Sequence, residues 1–316
     1  MGKKDTVTKN YMSEPIYFAD AFNFYLFNGE QLIKANELCE KDSTELGSIF
    51  SGEDEEIIQK ERDVLKQCVI MDDGQRFYLI LGIENQSNIH YAMPVKNMIY
   101  DALNYGQQAS KKAKEHRKKK DIQGDEFLSG FSKTDKLKPV ITLVVYFGSD
   151  EWDAPRTLKE MLEETNKEVL QYVSDYKVNL LIPKEIKDFS KFKTDFGKVM
   201  KYISVSDDKE KCMKVANEEE YKIVSVESAR LLNECVEMKI PIEKGEEKVN
   251  MCEAVKGIRE DGRIEGRLEG RLEGRLEGIE ALITTLQELG QTDKFIIEKI
   301  MEKFSVSESE AKAYMR

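Results

Sequence analysis

Chemistry in this 316-residue chain has to rest on carboxylates. Only two histidines are present, His90 and His116, which leaves no material for a histidine dyad, a histidine metal cluster or a Ser-His-Asp triad. The five cysteines, Cys39, Cys68, Cys212, Cys235 and Cys252, never form a CxxC pair, so zinc-ligand spacing is missing and the thiols read as reduced. The acids whose setting invites chemistry are Asp63 and Glu84, with Gln86 two residues beyond. Two converging carboxylates repel unless something neutralises them, and a hard divalent cation, Mg²⁺ or alternatively Mn²⁺ or Ca²⁺, takes oxygen ligands of this kind. Such an ion polarises a phosphate oxygen and lowers the pKa of a bound water.

A hairpin is what would bring the two acids together. Residues 64–71 (VLKQCVIM) and 76–83 (RFYLILGI) are rich in β-branched and aromatic side chains, and Asp72-Asp73-Gly74-Gln75 separates them. With Asp73-Gly74 as a two-residue turn, Asp72 faces Gln75 and paired residue numbers sum to 147. Asp63 then stands opposite Glu84, with Cβ atoms about 4.5–5.5 Å apart, and Gln86 shares the face of Glu84. The competing reading makes both acids ordinary strand-end residues, with Asp63 paired to Arg62 or Lys66. Against it, Glu84 follows YLILGI, a run buried on both faces, where a carboxylate needs a reason to be.

The flanking segments complete an α/β order. Ser13-Glu14-Pro15 signals a helix start, the apolar stretch IYFADAFNFYLF carries one conspicuous acid, Asp20, and Asn28-Gly29 ends the helix. Pro94 opens a second helix over 94–108, with Lys96, Tyr100, Asn104 and Gln107 on one stripe. It runs into KKAKEHRKKK (111–120), seven cations and one anion, which is either a continuation of that stripe as phosphate contacts or a solvated linker. Asn104 and Gln107 read best as a water-facing side, His90 as a loop residue and His116 as part of the basic run. No structure is expected over 120–137. PVITLVVYFG (139–148) reads as a fully buried strand, followed by Trp152, expected to pack, and VNLLIP (178–183) is strand-like within a mainly helical 155–250.

Residues 262–278 repeat GRLE with a period of four, which sets Arg beside Arg and Glu beside Glu at i+4. Five glycines add roughly 0.8–1.0 kcal/mol each relative to Ala, so a lone stable helix is not expected there. The repeat reads as a linker or as a self-association helix, and the tail from Ile279 as a small helical hairpin with a cap at Ser307 and Glu310. A net charge of −11 argues against coating nucleic acid through the overall field, and Glu53 to Glu56 form a solid acidic block. No apolar run approaches the ~18 residues of a membrane helix and no secretory leader is visible, so a cytoplasmic protein without membrane partners is expected.

The string ERDVLKQ, the hairpin, and FYLILGIENQSNIHYAMPVKNMIYDALNY together resemble the nuclease core of the Rpn family, recombination-promoting nucleases of the PD-(D/E)XK superfamily. PVITLVVYFGSDEWDAPRTLKEML and FADAFNFYLFNGEQLI are similar to further segments of that family, and the likeness covers the first half to two-thirds of the chain. The resemblance implies an α/β fold, a mixed sheet flanked by helices and followed by a mainly helical C-terminal region. The domains would be a nuclease core over 1–165, a helical extension over 166–256, the repeat over 257–278 and the tail over 279–316. By the same resemblance Asp63 and Glu84 are the motif acids, Asp20 is the metal-site acid of the opening helix, and Gln86 stands where the superfamily has its lysine. The implied activity is metal-dependent DNA endonuclease cleavage with Asp63, Glu84 and Gln86 catalytic and Asp20, Asp63 and Glu84 on the metal. DNA would be bound by Lys96, Tyr100, Lys111, Lys112, Arg117, Lys118, Lys119 and Lys120. The alternative is a catalytically weakened DNA-binding or self-assembling module of a mobile or defence element, with a homodimer formed through the repeat and tail.

Overall fold

The structure, a computed structural model, describes residues 2–41, 44–48, 57–61, 63–72, 75–163, 166–236 and 238–315. The chain divides into two units, Met1–Ala254 and Val255–Arg316. In the first, helices α1 (Lys3–Ser13) and α2 (Pro15–Phe27) lead into β1 (Cys39–Glu40) and a separate two-stranded sheet of β2 (Thr44–Ser48) and β3 (Ile57–Glu61). Next come β4 (Val64–Asp72), β5 (Gln75–Gln86), α3 (Met93–Lys119), α4 (Gly124–Ser129), β6 (Val140–Tyr146), α5 (Lys167–Leu170) and β7 (Asn179–Leu181). Helices α6 (Asp195–Ser204), α7 (Lys209–Ala216) and α8 (Val226–Cys235) follow, with β8 (Val224–Ser225) and β9 (Lys248–Val249) forming a small ribbon.

The main sheet has the order β1-β4-β5-β6-β7, antiparallel from β1 to β5 and parallel from β5 to β7. Its mixed character follows from the connections: a two-residue link allows only an antiparallel neighbour, while β6 returns beside β5 after the long helix α3. Val64 pairs with Ile83 and Asp72 with Gln75, the register that the hairpin spacing predicts. The Asp73-Gly74 turn itself, Arg62 and the Glu53–Glu56 block lie outside the described residues. Ile80, Leu81, Ile83, Leu143, Val144 and Val145 are fully buried, each stabilising the fold by about 1.5–3 kcal/mol relative to an exposed side chain.

Several local expectations are corrected. Ser13 does not cap α2; its hydroxyl donates to the Lys9 carbonyl within α1, and Pro15 alone marks the start. The other end is as expected: Asn28 stops α2 with a left-handed φ of 55°, and Gly29 passes so close to Lys191 that a Cβ would meet its carbonyl oxygen at 2.7 Å. Residues 111–119 continue α3 rather than starting a linker, and 120–137 is ordered around α4.

The second unit carries α9 (Met251–Glu288), α10 (Asp293–Phe304) and α11 (Glu308–Tyr314). The repeat is helical, against expectation. It is the middle of a longer helix, so it pays no nucleation cost of its own. One flank is anchored where Ile279 and Ile283 pack against Ile296, Ile300 and Ala311. The Ser307–Glu310 capping box at α11 is present. Among the described residues no helix is long and apolar enough to cross a membrane.

Candidate active site

The site forms where β5 outruns its neighbour. Pairing with β4 stops at Val64–Ile83, whereas β5 continues along β6 as far as Gln86–Tyr146. Beyond that stop, the N–H of Asn85 donates to Asp63 Oδ2 at 2.8 Å, so the Asp63 carboxylate stands in for the missing strand. Glu84, one step back on β5, is only 2 % exposed and holds the Lys96 ammonium at 2.7 Å on Oε2. Pro94 starts α3 at the position that brings Lys96, in its first turn, over the strand end.

Asp63, Gln86, Asn88, His90 and Lys96 line one cleft of about 300 Å³ together with Asp5 of α1. Burial pushes the Asp63 carboxyl above the ordinary aspartate value; the Asn85 N–H, Lys96 and Lys9 oppose the rise and Asp5 adds to it. Burial and the nearby Lys96 lower the His90 pKa, and its Nδ1 accepts from the Ala92 N–H, so it acts as a loop residue at the rim. Both amide atoms of Asn85 and Asn97 and the Ser87 hydroxyl are buried without a hydrogen-bond partner among the described residues. Such atoms mark a place that solvent or a ligand completes.

Asp20 lies elsewhere. Its carboxylate accepts from the N–H groups of Lys193 and Thr194 at 2.9–3.0 Å and from the Thr194 hydroxyl at 2.6 Å. It therefore fastens α2 to the residue that caps α6, and its oxygens are engaged there rather than at the cleft. Tyr100 departs from the expected DNA-facing stripe as well: it is 5 % exposed, with the Lys96 ammonium 5.9 Å above its ring. Asn104 is buried rather than water-facing and accepts from the Gln108 amide. Lys112 pairs with Asp135 at 3.2 Å, whereas Lys111, Arg117, Lys118, Lys119 and Lys120 are exposed at the far end of α3. Trp152 packs edge-on against Tyr146, as expected.

Residues 3–222 match the family model described as "Putative transposase, YhgA-like". The chain belongs to this family. The YhgA-like proteins are the PD-(D/E)XK-type Rpn group that the sequence resembles, and the mixed sheet flanked by helices agrees with that fold. No curated protein and no solved structure matches the chain. Membership in the YhgA-like family implies interaction with DNA.

The oxygen donors at this strand end suit a hard cation in kind: the Asp63 and Glu84 carboxylates, the Gln86 amide oxygen and Asp5. The buried polar atoms of Asn85, Asn97 and Ser87, without partners among the described residues, are the observation that fits a ligand or water there. The donors are not drawn together, since among the described residues no group of three or more His, Cys, Asp or Glu side chains could hold a metal. Sequence reasoning missed Asp5 because α1 begins as a polar, basic stretch without apolar periodicity. It rated Lys96 as a DNA contact because nothing in sequence ties it to a residue twelve positions earlier.

Proposed function

We propose that this chain is an endonuclease that hydrolyses DNA phosphodiester bonds at the cleft of Asp63, Gln86 and Lys96. The observation that carries the reading is that Asp63 and Lys96 line one polar cleft at the end of β5, with the buried Glu84 paired to that lysine. A Mg²⁺ ion held by Asp63 and Glu84, with Gln86 or Asp5 assisting, would supply phosphate polarisation and a more acidic bound water. Asp63, ionised, would be both a donor to that ion and an acceptor for the attacking water, whose proton passes to solvent. The water oxygen bonds to phosphorus, the P–O3′ bond breaks, and the 3′ oxygen leaves as a hydroxyl after gaining a proton from solvent. Gln86 contributes hydrogen bonds but no charge, so the cation of the protein side is Lys96, exposed enough at 30 % to reach a phosphate.

A second reading has its own support. Lys96 already neutralises Glu84, which fits a DNA-binding module that no longer cuts. Plasmid nicking with Mg²⁺, Mn²⁺ or EDTA decides between them. Metal-dependent nicking that Asp63→Asn abolishes supports the nuclease; DNA binding without nicking in any metal supports the module. In either case the assembly we propose is a homodimer through the exposed face of α9.

A further inference from the structure

We infer that duplex DNA lies along α3 for one helical turn beyond the cleft, and that Phe127 and Leu128 wedge into a base step at its far end. This rests on the DNA reading above but not on cleavage. The distance from Lys96 to Lys119 along α3 is about 34 Å at 1.5 Å per residue, and one turn of B-DNA is also about 34 Å. A duplex seated at the cleft and running parallel to α3 therefore presents the same groove again at the exposed cations Arg117 and Lys118, which at 100° per residue return to within about 60° of the Lys96 side, with Lys119 and Lys120 beside them. In a chain of net charge −11, this concentrated basic patch selects a polyanion.

Helix α4 adds an apolar tip to that patch. Phe127 and Leu128 are adjacent and 57 % and 83 % exposed. They are not on a loose loop. Gly130, at φ 67°, packs so tightly that a Cβ would lie 2.6 Å from Ala113 Cβ of α3. His116 of α3 bridges Asp121 at 2.6 Å and Asp135 at 2.7 Å on either side of α4. Glu126 accepts from the Lys133 N–H at 2.9 Å. Scattered exposed apolar residues need no explanation, but a pair on an element held against the basic end of α3 is the chemistry of side chains that unstack a base step and kink the duplex. The preceding basic run positions the backbone, and the tip deforms it.

The test measures binding and bending without cleavage, using the full chain in EDTA and a 20-bp duplex labelled at both ends. Polarisation reports affinity and end-to-end energy transfer reports the bend. Wild type is expected to bind and to raise transfer. F127A/L128A is expected to bind several-fold more weakly and to leave transfer at the value of free DNA even at saturation. K118A/K119A/K120A is expected to reduce the salt slope by about 2–3 while still bending DNA when saturated. Both sets of side chains are exposed, so circular dichroism should show each variant folded. Bending unchanged in F127A/L128A overturns the wedge and leaves the DNA reading intact. No DNA binding by wild type overturns both. Binding to anionic phosphatidylserine vesicles that needs Phe127 and Leu128, with no DNA binding, assigns the tip to a lipid surface instead and overturns the proposal.

Discussion

The Lys96 ammonium sits 2.7 Å from Glu84 Oε2, joining the first turn of α3 to a carboxylate buried at the end of β5. The pair closes a gap of twelve residues across an irregular loop, so it fixes where α3 starts as well as the charge of the cleft. Lys96→Met withdraws the ammonium from a carboxylate that cannot reach water, and it is expected to cost roughly 3 kcal/mol. Glu84→Gln on the same background should recover much of that loss, because the buried charge goes with it. Urea unfolding of the two singles and the double gives the coupling energy; additive effects would show that the pair contributes nothing.

Asp63→Asn separates charge from hydrogen bonding. The amide oxygen still accepts the Asn85 N–H, so the strand end stays formed, while the carboxylate is gone. Burial raises the Asp63 pKa above its unfolded value, so its stability contribution is present below the unfolded pKa and lost as pH rises through the folded one. At neutral pH the charged form is therefore a cost to folding, and Asp63→Asn should raise Tm. Nicking should fall on the order of 10²–10³-fold. In wild type, nicking should decline as pH drops through the raised Asp63 pKa, since the carboxylate must be ionised to hold the cation. A nicking rate that does not fall on acidification while the protein stays folded would exclude Asp63 as a working carboxylate.

Asp20→Ala distinguishes a structural acid from a metal ligand. The carboxylate loses the Lys193 and Thr194 N–H donors and the Thr194 hydroxyl, leaving those donors buried or half-buried. The expected cost is about 2–4 kcal/mol. The fraction that remains folded should nick at the wild-type rate with an unchanged Mg²⁺ requirement. A large rise in the Mg²⁺ concentration needed, with little change in Tm, would return Asp20 to the site.

Asp20 also shows where sequence legibility ends. The β4–β5 register could be read because a two-residue turn and strict alternation leave one solution, and the placement of Asp63 beside β5 followed from it. Asp20 sits on a helix buried on most sides, and the direction of its carboxylate depends on Lys193 and Thr194, over 170 residues away. Tyr100 failed for the same reason: helical spacing places it on the stripe of Lys96, but which side of α3 packs is decided by elements distant in sequence, β6 among them. The helicity of the repeat was missed because glycine and like-charge penalties were counted for an isolated segment, whereas α9 is seeded by packed residues at Ile279 and Ile283.

His116 gives α4 a pH-dependent anchor. Both ring nitrogens face carboxylates, Asp121 and Asp135, so both must carry hydrogen and the ring is the imidazolium. These two hydrogen bonds raise the His116 pKa. The Ser132 N–H, His116 and Lys112 hold Asp135 down to about 2. The His contribution is present below the unfolded value and is lost as pH rises through the raised one. The Asp contribution is present above the unfolded value and is lost as pH falls through about 2. The anchor is therefore complete from roughly pH 4 to at least 6.5. Hydrogen exchange of amides 124–133, corrected for intrinsic rate, should be slowest in that window and lose its alkaline dependence in His116→Gln.

The exposed face of α9 predicts the direction of the proposed dimer. Ile264, Leu268, Leu272 and Leu276 form one row and are 45–61 % exposed, while a Cβ at Gly266, Gly270 or Gly274 would meet nothing within 4 Å. At about 100° per residue, Arg267 and Arg271 flank the Leu row on one side and Glu269 and Glu273 on the other, with the glycines behind. Leu at i, i+4 is the ridge that interdigitates when two helices pack ridge into groove. Two copies running in the same direction bring the Arg flank of one against the Glu flank of the other; opposite directions bring like charges together. The parallel pair is therefore expected, and its salt response identifies it. Raising NaCl from 50 to 500 mM should weaken a parallel dimer, because screening removes attraction, and would tighten an antiparallel one by removing repulsion. Sedimentation equilibrium of the full chain across that range reads the sign directly. Leu268→Lys with Leu272→Lys should leave a monomer at every salt concentration, and a dimer that persists in this variant would place the interface away from α9.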